Sequence, residues 1–204
     1  KPLDQAKQRL APVLDPHERA DFAAAMLRDL LAACLGSARR YDVTVQSADP
    51  AVGTIARSAG AQWHEEKGPA GLDAAASAAL ARVRAASASA LMLLPGDLPL
   101  ARTHDIDRLA DLGATAGVPA RDGGTNALLL DPARPFDFAY GPNSFAAHSA
   151  AIEDEGRSMQ CLVSGGLVDD IDTPQAFARL FAQPAGPATS SFLSRLPRLK
   201  ERIA

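Results

Sequence analysis

The stretch Leu91–Leu100, LMLLPGDLPL, sets the architecture that we expect for this chain. Four consecutive apolar residues, Leu91–Leu94, run into a Pro-Gly pair. A short apolar run that ends at turn residues is typical of a strand buried on both faces in an α/β protein. Asp97 follows, and ligands of open α/β sheets bind at the carboxyl ends of the strands. We therefore expect Asp97 to face a ligand; a cap or turn carboxylate is the alternative.

Strand and helix patterns alternate on both sides of this stretch. Capping residues and helical spacing of apolar residues predict helices over residues 15–35, 50–58, 72–86, 103–112, 145–156 and 173–182. Strands are predicted over residues 41–47, 61–66, 90–95, 114–120, 125–131 and 158–163. This alternation predicts βαβ units and an α/β fold whose parallel sheet is covered on both faces.

Composition and charge exclude several classes of protein. The 204 residues are 47% apolar, which suits one globular domain with its own core. A formal net charge of −3 disfavours a nucleic-acid partner. The sequence lacks the run of roughly 18 apolar residues that a membrane span needs, so we expect no membrane partner. Cys34 and Cys161 are the two cysteines, and we expect both to be buried thiols of a cytoplasmic protein.

The sequence predicts one domain followed by a short C-terminal extension. Residues 1–182 are predicted to form the single domain, and its first strand is expected to precede Lys1. Residues 183–204 are predicted to be a linker, rich in Pro, Ala and Ser up to residue 191, followed by a short amphipathic tail. Such a tail could pack against a second copy of the chain, which makes a homodimer an expected assembly.

Acidic residues crowd one loop directly before the last helix. Asp169, Asp170 and Asp172 lie within four residues, and like charges at such spacing usually need a cation or a basic partner. Carboxylates from two separate strand ends, with positions left for water and phosphate, are the ligand set that Mg²⁺ prefers. We therefore expect Asp97 and this cluster to bind Mg²⁺. Helix capping by Asp172 is the alternative.

Cationic residues gather at the start of the chain. Lys1, Lys7 and Arg9 lie in a predicted loop before the first long helix. Three cations in nine residues could neutralise a triphosphate, although a solvated basic stretch has the same composition.

Glycines and hydroxyl residues lie at the start of one predicted strand and two predicted helices. Thr125 follows two glycines and could donate to a phosphate or carboxylate; an ordinary hairpin turn is the alternative. Gly141 and Ser144 lie at a helix start, which favours an anion, with simple capping as the alternative. Gly68 and Gly71 precede another helix, where a ribose or base could lie against the backbone. The four histidines lack the spacing of zinc ligands, and His148 is a candidate to line the anion site.

Taken in order, these segments resemble one known family. It comprises the 2-phospho-L-lactate guanylyltransferases and their phosphoenolpyruvate-using relatives, which act in biosynthesis of the deazaflavin coenzyme called factor 420. The resemblance runs from Lys1 to about Phe181 and rests on KPLDQAKQRLAPVLDPHERADFAAAMLRDLL, PGDLPL, RDGGTNALLL, GPNSFAAH and DIDTPQ. The combination of GGTNALLL, SF..H and DIDTP is specific to the family. PGDLP and DIDTP alone indicate only a nucleotidyltransferase of the glycosyltransferase-A-like superfamily.

The resemblance implies a fold, a reaction and a role for each segment. The implied fold is a single three-layer α/β/α domain with a mixed, mostly parallel sheet. The implied reaction transfers GMP from GTP to a phosphorylated three-carbon acid. The implied metal ligands are Asp97, Asp170 and Asp172, and the implied catalytic and triphosphate-binding residues are Lys1, Lys7, Arg9 and Asp97. The nucleoside side would use Gly68, Gly71 and Asp73, and the acceptor pocket would use Thr125, Gly141 and Ser144.

Two departures from the family pattern concern the substrate pockets. The family often has Asn where Asp73 stands, and a glycine is common where this chain has Pro142-Asn143. Two other functions stay open at this point. One is a nucleotidyltransferase of the same fold with another acceptor, such as phosphoglycerate, a sugar phosphate or a molybdopterin-type cofactor. The other is a non-catalytic nucleotide-binding homologue.

Overall fold

The structure is a computed structural model that describes residues 2–67, 71–113, 115–163 and 165–196. Contacts within the chain group it into two compact units. The first unit comprises Lys1–Lys67, Gly96–His104 and Asp169–Ala204, and the second comprises Gly68–Pro95 and Asp105–Val168. No helix in the described ranges is both long and apolar enough to cross a membrane.

The predicted alternation of helices and strands is confirmed in most places. The helices are α1 Pro16–Leu35, α2 Pro50–Ala59, α3 Leu72–Ala85, α4 Thr103–Asp111, α5 Ser144–Glu153, α6 Gly165–Val168, α7 Pro174–Leu180 and α8 Pro187–Ser194. The strands are β1 Thr44–Ser47, β2 Gln62–Glu65, β3 Leu91–Leu93, β4 Ala116–Pro119, β5 Thr125–Leu130 and β6 Gln160–Cys161. Two short 3₁₀ turns, Leu3–Gln5 and Gln8–Leu10, precede α1.

The first unit contains a βαβ arrangement beside the long helix α1. Strands β1 and β2 are connected by α2 and pair with each other in parallel, with Val45 opposite Trp63. Helix α1 begins at a capping box, in which Asp15 accepts from the amide of Glu18 and the Glu18 carboxylate accepts in return. The core of this unit is mostly aliphatic and includes an aromatic contact, with the ring of Phe22 4.9 Å from that of Phe177.

The prediction of a linker over residues 183–191 is wrong for residues 187–191, which begin helix α8. The carboxylate of Asp29 in α1 accepts from the amides of Ala188 and Thr189 at 2.9 and 2.8 Å, so it satisfies the free donors of the α8 N-terminus. Phe192 of α8 stacks on Phe22 at 5.3 Å. The Pro, Ala and Ser composition suggested a linker, but a helix whose cap comes from a distant residue leaves no local capping signal.

The second unit contains a four-stranded sheet in the order β3-β5-β4-β6. Strand β5 lies between β3 and β4 and is antiparallel to both, whereas β4 and β6 are parallel. The sheet is mixed, as the resemblance implied, but two of its three strand pairings are antiparallel, so it is not the mostly parallel sheet that was expected. All six residues of β5 are buried, whereas in β3 only Leu91 is buried. The strand with the deepest burial is therefore β5 and not the one before Asp97.

The two cysteines differ in exposure. Cys34 is buried in α1, as expected, and burial raises the pKa of its thiol to about 11. Cys161 is exposed in the two-residue strand β6, so the expectation that it is buried is wrong. Strand β6 pairs at the end of the sheet order, and an apolar pattern does not by itself tell an edge strand from a central one.

Candidate active site

Three charged residues from distant parts of the sequence meet in the first unit. The Nζ atom of Lys7 donates to Oδ2 of Asp97 at 2.6 Å and to Oδ1 of Asp172 at 2.5 Å. The Lys7 side chain is only 6% exposed, whereas those of Asp97 and Asp172 are 26% and 42% exposed. Two carboxylates are thus directed at one point by a single buried ammonium group.

Local structure places each of these three side chains. Lys7 lies between the two 3₁₀ turns in the left-handed region, at φ 53° and ψ 40°. Asp97 lies in the loop after β3, and Asp172 lies directly before Thr173, the residue that caps α7. The cap of α7 is Thr173, whose hydroxyl accepts from the amide of Ala176. Capping therefore does not explain Asp172, whose carboxylate contacts Lys7.

Opposing effects set the protonation of Lys7. Burial alone would lower the pKa of the Lys7 ammonium, but the charges of Asp97 and Asp172, together with their hydrogen bonds, outweigh it. The net pKa is above the ordinary value, so the side chain is positively charged at neutral pH. The pair of carboxylates therefore has a permanent cationic neighbour.

One oxygen of this cluster has a further capacity to bind. Oδ1 of Asp97 is buried and has no hydrogen-bond partner. A buried carboxylate oxygen without a partner costs free energy, and a hard cation is a partner that it prefers. The donor set of Asp97 and Asp172 therefore fits a magnesium ion.

The structure describes two of the other residues that were predicted as metal ligands or cations, Asp170 and Arg9. No three acidic, histidine or cysteine side chains among the described residues gather closely enough to hold a metal ion, so Asp170 does not form such a set with Asp97 and Asp172. Asp170 is half-buried in the loop before α7. Arg9 is exposed in the second 3₁₀ turn. Lys1 and Gly68 lie outside the described residues, and their roles stay predictions.

The predicted acceptor residues meet in the second unit. The hydroxyl oxygens of Thr125 and Ser144 lie 3.0 Å apart, and both residues are buried. The amide of Ser144 donates to the carbonyl oxygen of Gly141 at 3.1 Å. Gly141 is exposed and adopts φ 141°, which favours glycine. Thr125 begins β5 and Ser144 begins α5, so two separate elements bring the hydroxyls together.

The departure from glycine at Asn143 has a structural explanation. Asn143 immediately precedes α5 and adopts the left-handed conformation, with φ 57° and ψ 25°. Asparagine tolerates this region better than most residues because its short polar side chain can hydrogen-bond locally. The turn before α5 can therefore form without a glycine at this position.

His148 belongs to this group, although the sequence indicated it only as a residue that lines the anion site. It is 0% exposed, and both of its ring nitrogens have contacts within the protein. Its Nδ1 atom lies 3.0 Å from the hydroxyl oxygen of Thr125, and its Nε2 atom accepts from the amide of Ala139 at 3.0 Å. The spacing of Ser144 and His148, one turn apart on one helix face, is the signal that could have found this contact.

Gly71 and Asp73, which the sequence predicts for the nucleoside side, lie in the second unit at the start of α3. Gly71 precedes the first residue of α3 and adopts φ 144°. Oδ1 of Asp73 accepts from the amide of Tyr140 at 2.7 Å, in the segment that leads to Gly141. Burial, aided by the Asp73 charge, raises the pKa of the Tyr140 hydroxyl, so it is neutral. Asp73 thus holds backbone in this conformation, and its contact with a nucleotide stays a prediction.

Curated relatives share most of the length of this chain. A phosphoenolpyruvate guanylyltransferase of Roseiflexus castenholzii is 38% identical over 188 residues, which cover 92% of this chain and 88% of the relative. A 3-phospho-D-glycerate guanylyltransferase of Phenylobacterium zucineum is 36% identical and covers 94% and 91%. A 2-phospho-L-lactate guanylyltransferase of Methanothermobacter thermautotrophicus is 33% identical and covers 94% and 85%.

Solved structures and a family model complete the comparison. A Desulfovibrio desulfuricans protein, provisionally described as a nucleotide-diphospho-sugar transferase, superposes with a TM-score of 0.80 at 12% identity, over 100% of this chain and 95% of that one. This similarity confirms the predicted fold class. The family model described as guanylyl transferase CofC like matches residues 1–200. The chain therefore belongs to the CofC-like guanylyltransferase family, and it is a nucleotidyltransferase.

Proposed function

We propose that this guanylyltransferase uses Mg²⁺ and the cluster of Lys7, Asp97 and Asp172 to transfer GMP from GTP to a phosphorylated three-carbon acid. The reaction serves biosynthesis of the deazaflavin coenzyme factor 420. The observation that carries the proposal is the convergence of two carboxylates on one buried ammonium group, at 2.6 and 2.5 Å. The names of the relatives support phosphoenolpyruvate, 3-phospho-D-glycerate and 2-phospho-L-lactate as candidate acceptors.

The chemistry balances without a general base. An oxygen of the acceptor phosphate forms a bond to the α-phosphorus of GTP, the bond between that phosphorus and the bridging oxygen breaks, and pyrophosphate leaves. The acceptor phosphate is ionised at neutral pH, so no proton needs to be removed before attack. The principal barrier is the repulsion between two polyanions. Two unit charges 4 Å apart repel by roughly 4 kcal/mol at an effective dielectric constant near 20.

Cationic side chains of this chain reduce that repulsion. Lys7 is charged and fixed by two ion pairs, so it requires little reorganisation when phosphate charge develops nearby. Arg9 is exposed two residues further along, and its planar guanidinium group suits phosphate oxygens. Lys1 is the third proposed contact with the triphosphate.

Asp97 and Asp172 are the residues that would hold the metal ion. Their carboxylate oxygens are hard ligands, and the buried Oδ1 of Asp97 lacks a partner. Asp170 lies in the same loop as Asp172 but does not gather with these two carboxylates, so we do not propose it as a ligand. When bound, Mg²⁺ would supply positive charge to phosphate oxygens at this site.

The second unit supplies the proposed binding groups for the acceptor and the nucleoside. Hydroxyls of Thr125 and Ser144 and the exposed turn at Gly141 would contact the acceptor's anionic groups. Ser144 is the first residue of the ten-residue helix α5, whose N-terminus favours negative charge. Gly71 and Asp73, with Gly68, are proposed for the nucleoside of GTP.

A pyrophosphate-release panel tests the proposal. The full-length protein with Mg²⁺ is incubated with GTP, CTP or ATP and with each of the three phosphorylated acids, a sugar phosphate or a molybdopterin-type cofactor. We expect release with GTP and at least one three-carbon acid, and none when the acid is omitted. Release only with a sugar phosphate, a molybdopterin-type cofactor or another nucleotide would replace this function with the alternative acceptor class. Binding of GTP without release from any mixture would favour a non-catalytic homologue.

Two further expectations accompany this function. A cytoplasmic location stays a prediction that rests on the two cysteines, neither of which forms a disulfide. A homodimer formed through the C-terminal tail also stays a prediction, since residues 197–204 lie outside the described residues.

A further inference from the structure

His148 is a buried titratable residue that the proposed transfer chemistry does not use. Its ring lies among aromatic side chains, with ring centroids 4.9 Å from Tyr140, 5.6 Å from Phe136 and 6.4 Å from Phe138. Such surroundings offer few polar partners, yet both ring nitrogens have one. Nδ1 meets the Thr125 hydroxyl and Nε2 meets the Ala139 amide, each at 3.0 Å. A polar side chain satisfied this fully in an apolar pocket has a fixed orientation.

The Ala139 contact determines where the ring carries its proton. A backbone amide can only donate, so Nε2 of His148 must present a lone pair. A neutral imidazole then carries its single proton on Nδ1, and Nδ1 donates to the hydroxyl oxygen of Thr125. Burial lowers the pKa of His148, more strongly than the charge of Asp73 raises it, which keeps the ring neutral.

This tautomer leaves a hydroxyl hydrogen available for a ligand. Thr125 receives a hydrogen bond from His148, so the hydroxyls of Thr125 and Ser144 hold two hydrogens and need only one for the bond between them. The opposite tautomer would accept from Thr125, which in turn would accept from Ser144. Both hydroxyl hydrogens would then be used inside the protein, and no hydroxyl donor would be left for an anion.

We propose that His148 is a positioning residue for the acceptor, which directs one hydroxyl hydrogen of the Thr125–Ser144 pair to an anionic group of the phosphorylated acid. The inference rests on the proposed function, because that function identifies the pair as acceptor-binding. Ser144 lies three residues after the exposed Gly141, and its amide donates to the Gly141 carbonyl oxygen, so the pair adjoins an exposed turn. The Ala139 amide fixes the tautomer, the histidine orients Thr125, and the hydroxyls contact the acceptor.

Two substitutions separate this role from simple packing. The amide of His148→Asn would lie where Nδ1 lies and can still donate to Thr125. The amide of His148→Gln would lie where Nε2 lies, so it can accept from Ala139 but no longer donates to Thr125. Both variants remove the ring from the aromatic pocket, so each controls for the packing loss of the other. Steady-state kinetics with GTP and the accepted acid give the KM for each substrate.

A second measurement examines the tautomer without any substrate. A long-range ¹H–¹⁵N correlation spectrum of the labelled wild-type protein distinguishes a protonated ring nitrogen from an unprotonated one. The His148 signals are identified by their loss in His148→Gln. We expect the proton on Nδ1. We also expect His148→Gln to raise the KM of the acid about tenfold and leave the KM of GTP unchanged, with a smaller change in His148→Asn.

Each outcome decides between the inference and its alternatives. A proton on Nε2 would overturn it, as would an equal rise in the acid KM for both variants. If the wild-type protein transfers GMP to no phosphorylated acid, the proposed function fails and the acceptor role of His148 fails with it. The tautomer spectrum still reports the geometry in that case, so the two failures can be told apart.

Discussion

Lys7 and Asp97 are 90 residues apart in the sequence, yet their side chains form a 2.6 Å ion pair in the first unit. The same Lys7 nitrogen also contacts Asp172, which is 165 residues away. Forming contacts over such separations costs loop-closure entropy. Contacts within a single helix or turn do not carry this cost. A cluster that unites three distant segments of charged residues, with one carboxylate oxygen left unpartnered, points to a binding role in addition to any contribution to stability.

Replacement of Asp97 by Asn should impair turnover strongly. The change keeps the shape of the side chain but removes its charge, and so weakens both the pair with Lys7 and the proposed metal site. We expect turnover to fall by roughly a hundredfold or more at saturating Mg²⁺, as when one preorganised electrostatic group is lost. Asp154→Asn, at the exposed residue that follows α5, is the matched control and should behave as wild type. Near-normal turnover of the Asp97 variant would refute its role.

Replacement of Lys7 by Met should leave two carboxylates facing each other. We expect a loss of about 1–3 kcal/mol in the free energy of unfolding, less than for a fully buried pair because Asp172 is 42% exposed. Turnover should fall as well. Added Mg²⁺ should raise the thermal midpoint of this variant more than that of the wild type. In the variant the ion would take the place of the missing ammonium group between the two carboxylates, and an ion that binds the folded state stabilises it.

The control for that experiment is Lys67→Met. Lys67 is 78% exposed and pairs with Glu65 at 3.0 Å, an arrangement that contributes little to stability. Its midpoint should respond to Mg²⁺ as the wild type does. Equal responses of the Lys7 variant and the wild type would argue against a cation site at Asp97 and Asp172.

Thr125 should affect the acceptor and not GTP. In Thr125→Val the hydroxyl that meets Ser144 and His148 is lost while the branched shape is kept, and we expect the KM of the acid to rise roughly tenfold. Thr125→Ser keeps the hydroxyl and should retain most of the affinity. Initial rates at varied acid and varied GTP give the two constants. A rise confined to the KM of GTP would move Thr125 to the nucleotide site.

The free energy of unfolding should depend on pH through His148. Its pKa is lowered in the folded state by burial, against the opposing Asp73 charge, from an ordinary value of 6.5. The unfolded chain therefore binds more protons just below that value. The contribution of the neutral His148 to the free energy of unfolding is fully present above about pH 6.5, and it is lost as the pH falls through the folded-state pKa. Urea unfolding between about pH 7.5 and 5.5 should show this decline in the wild type, and a shallower one in His148→Gln. Identical slopes would contradict the assignment.

Gly186 should tolerate no side chain. A Cβ atom built there would collide with the carboxyl group of Asp29, which caps α8. We expect Gly186→Ala to reduce the free energy of unfolding by about 1–3 kcal/mol in chemical denaturation. At Gly165 a Cβ atom meets nothing within 4 Å, so Gly165→Ala is the control. A Gly186 variant as stable as the control would show that the cap of α8 is not needed.

Local signals in the sequence predicted the local structure well. The capping box of Asp15 and Glu18 sets the start of α1, because its partners are three residues apart and need no tertiary contact. The hairpin around Arg121–Gly124 forms for the same reason, with the amide of Ala120 donating to the carbonyl oxygen of Gly124.

Features that depend on distant partners were missed. An apolar run shows that a strand is buried, but it does not show that Leu91 pairs in antiparallel fashion with Leu130. The N-terminus of α8 is capped by the distant carboxylate of Asp29. The role of His148 depends on the backbone amide of Ala139, a loop residue. In the site, the convergence of Asp97 and Asp172 was expected from the family resemblance and the strand-end rule. Their ion pairs with Lys7 were not expected, because no local pattern encodes them.

Lys7 adopts a backbone conformation that glycine would adopt with less strain, at φ 53°. The main chain alone would favour a residue without a β-carbon here, but such a residue could not provide a cation. The two ion pairs that Lys7 forms therefore outweigh the backbone strain at this position. We accordingly expect relatives to keep a basic residue at this position, although glycine would relieve the backbone strain.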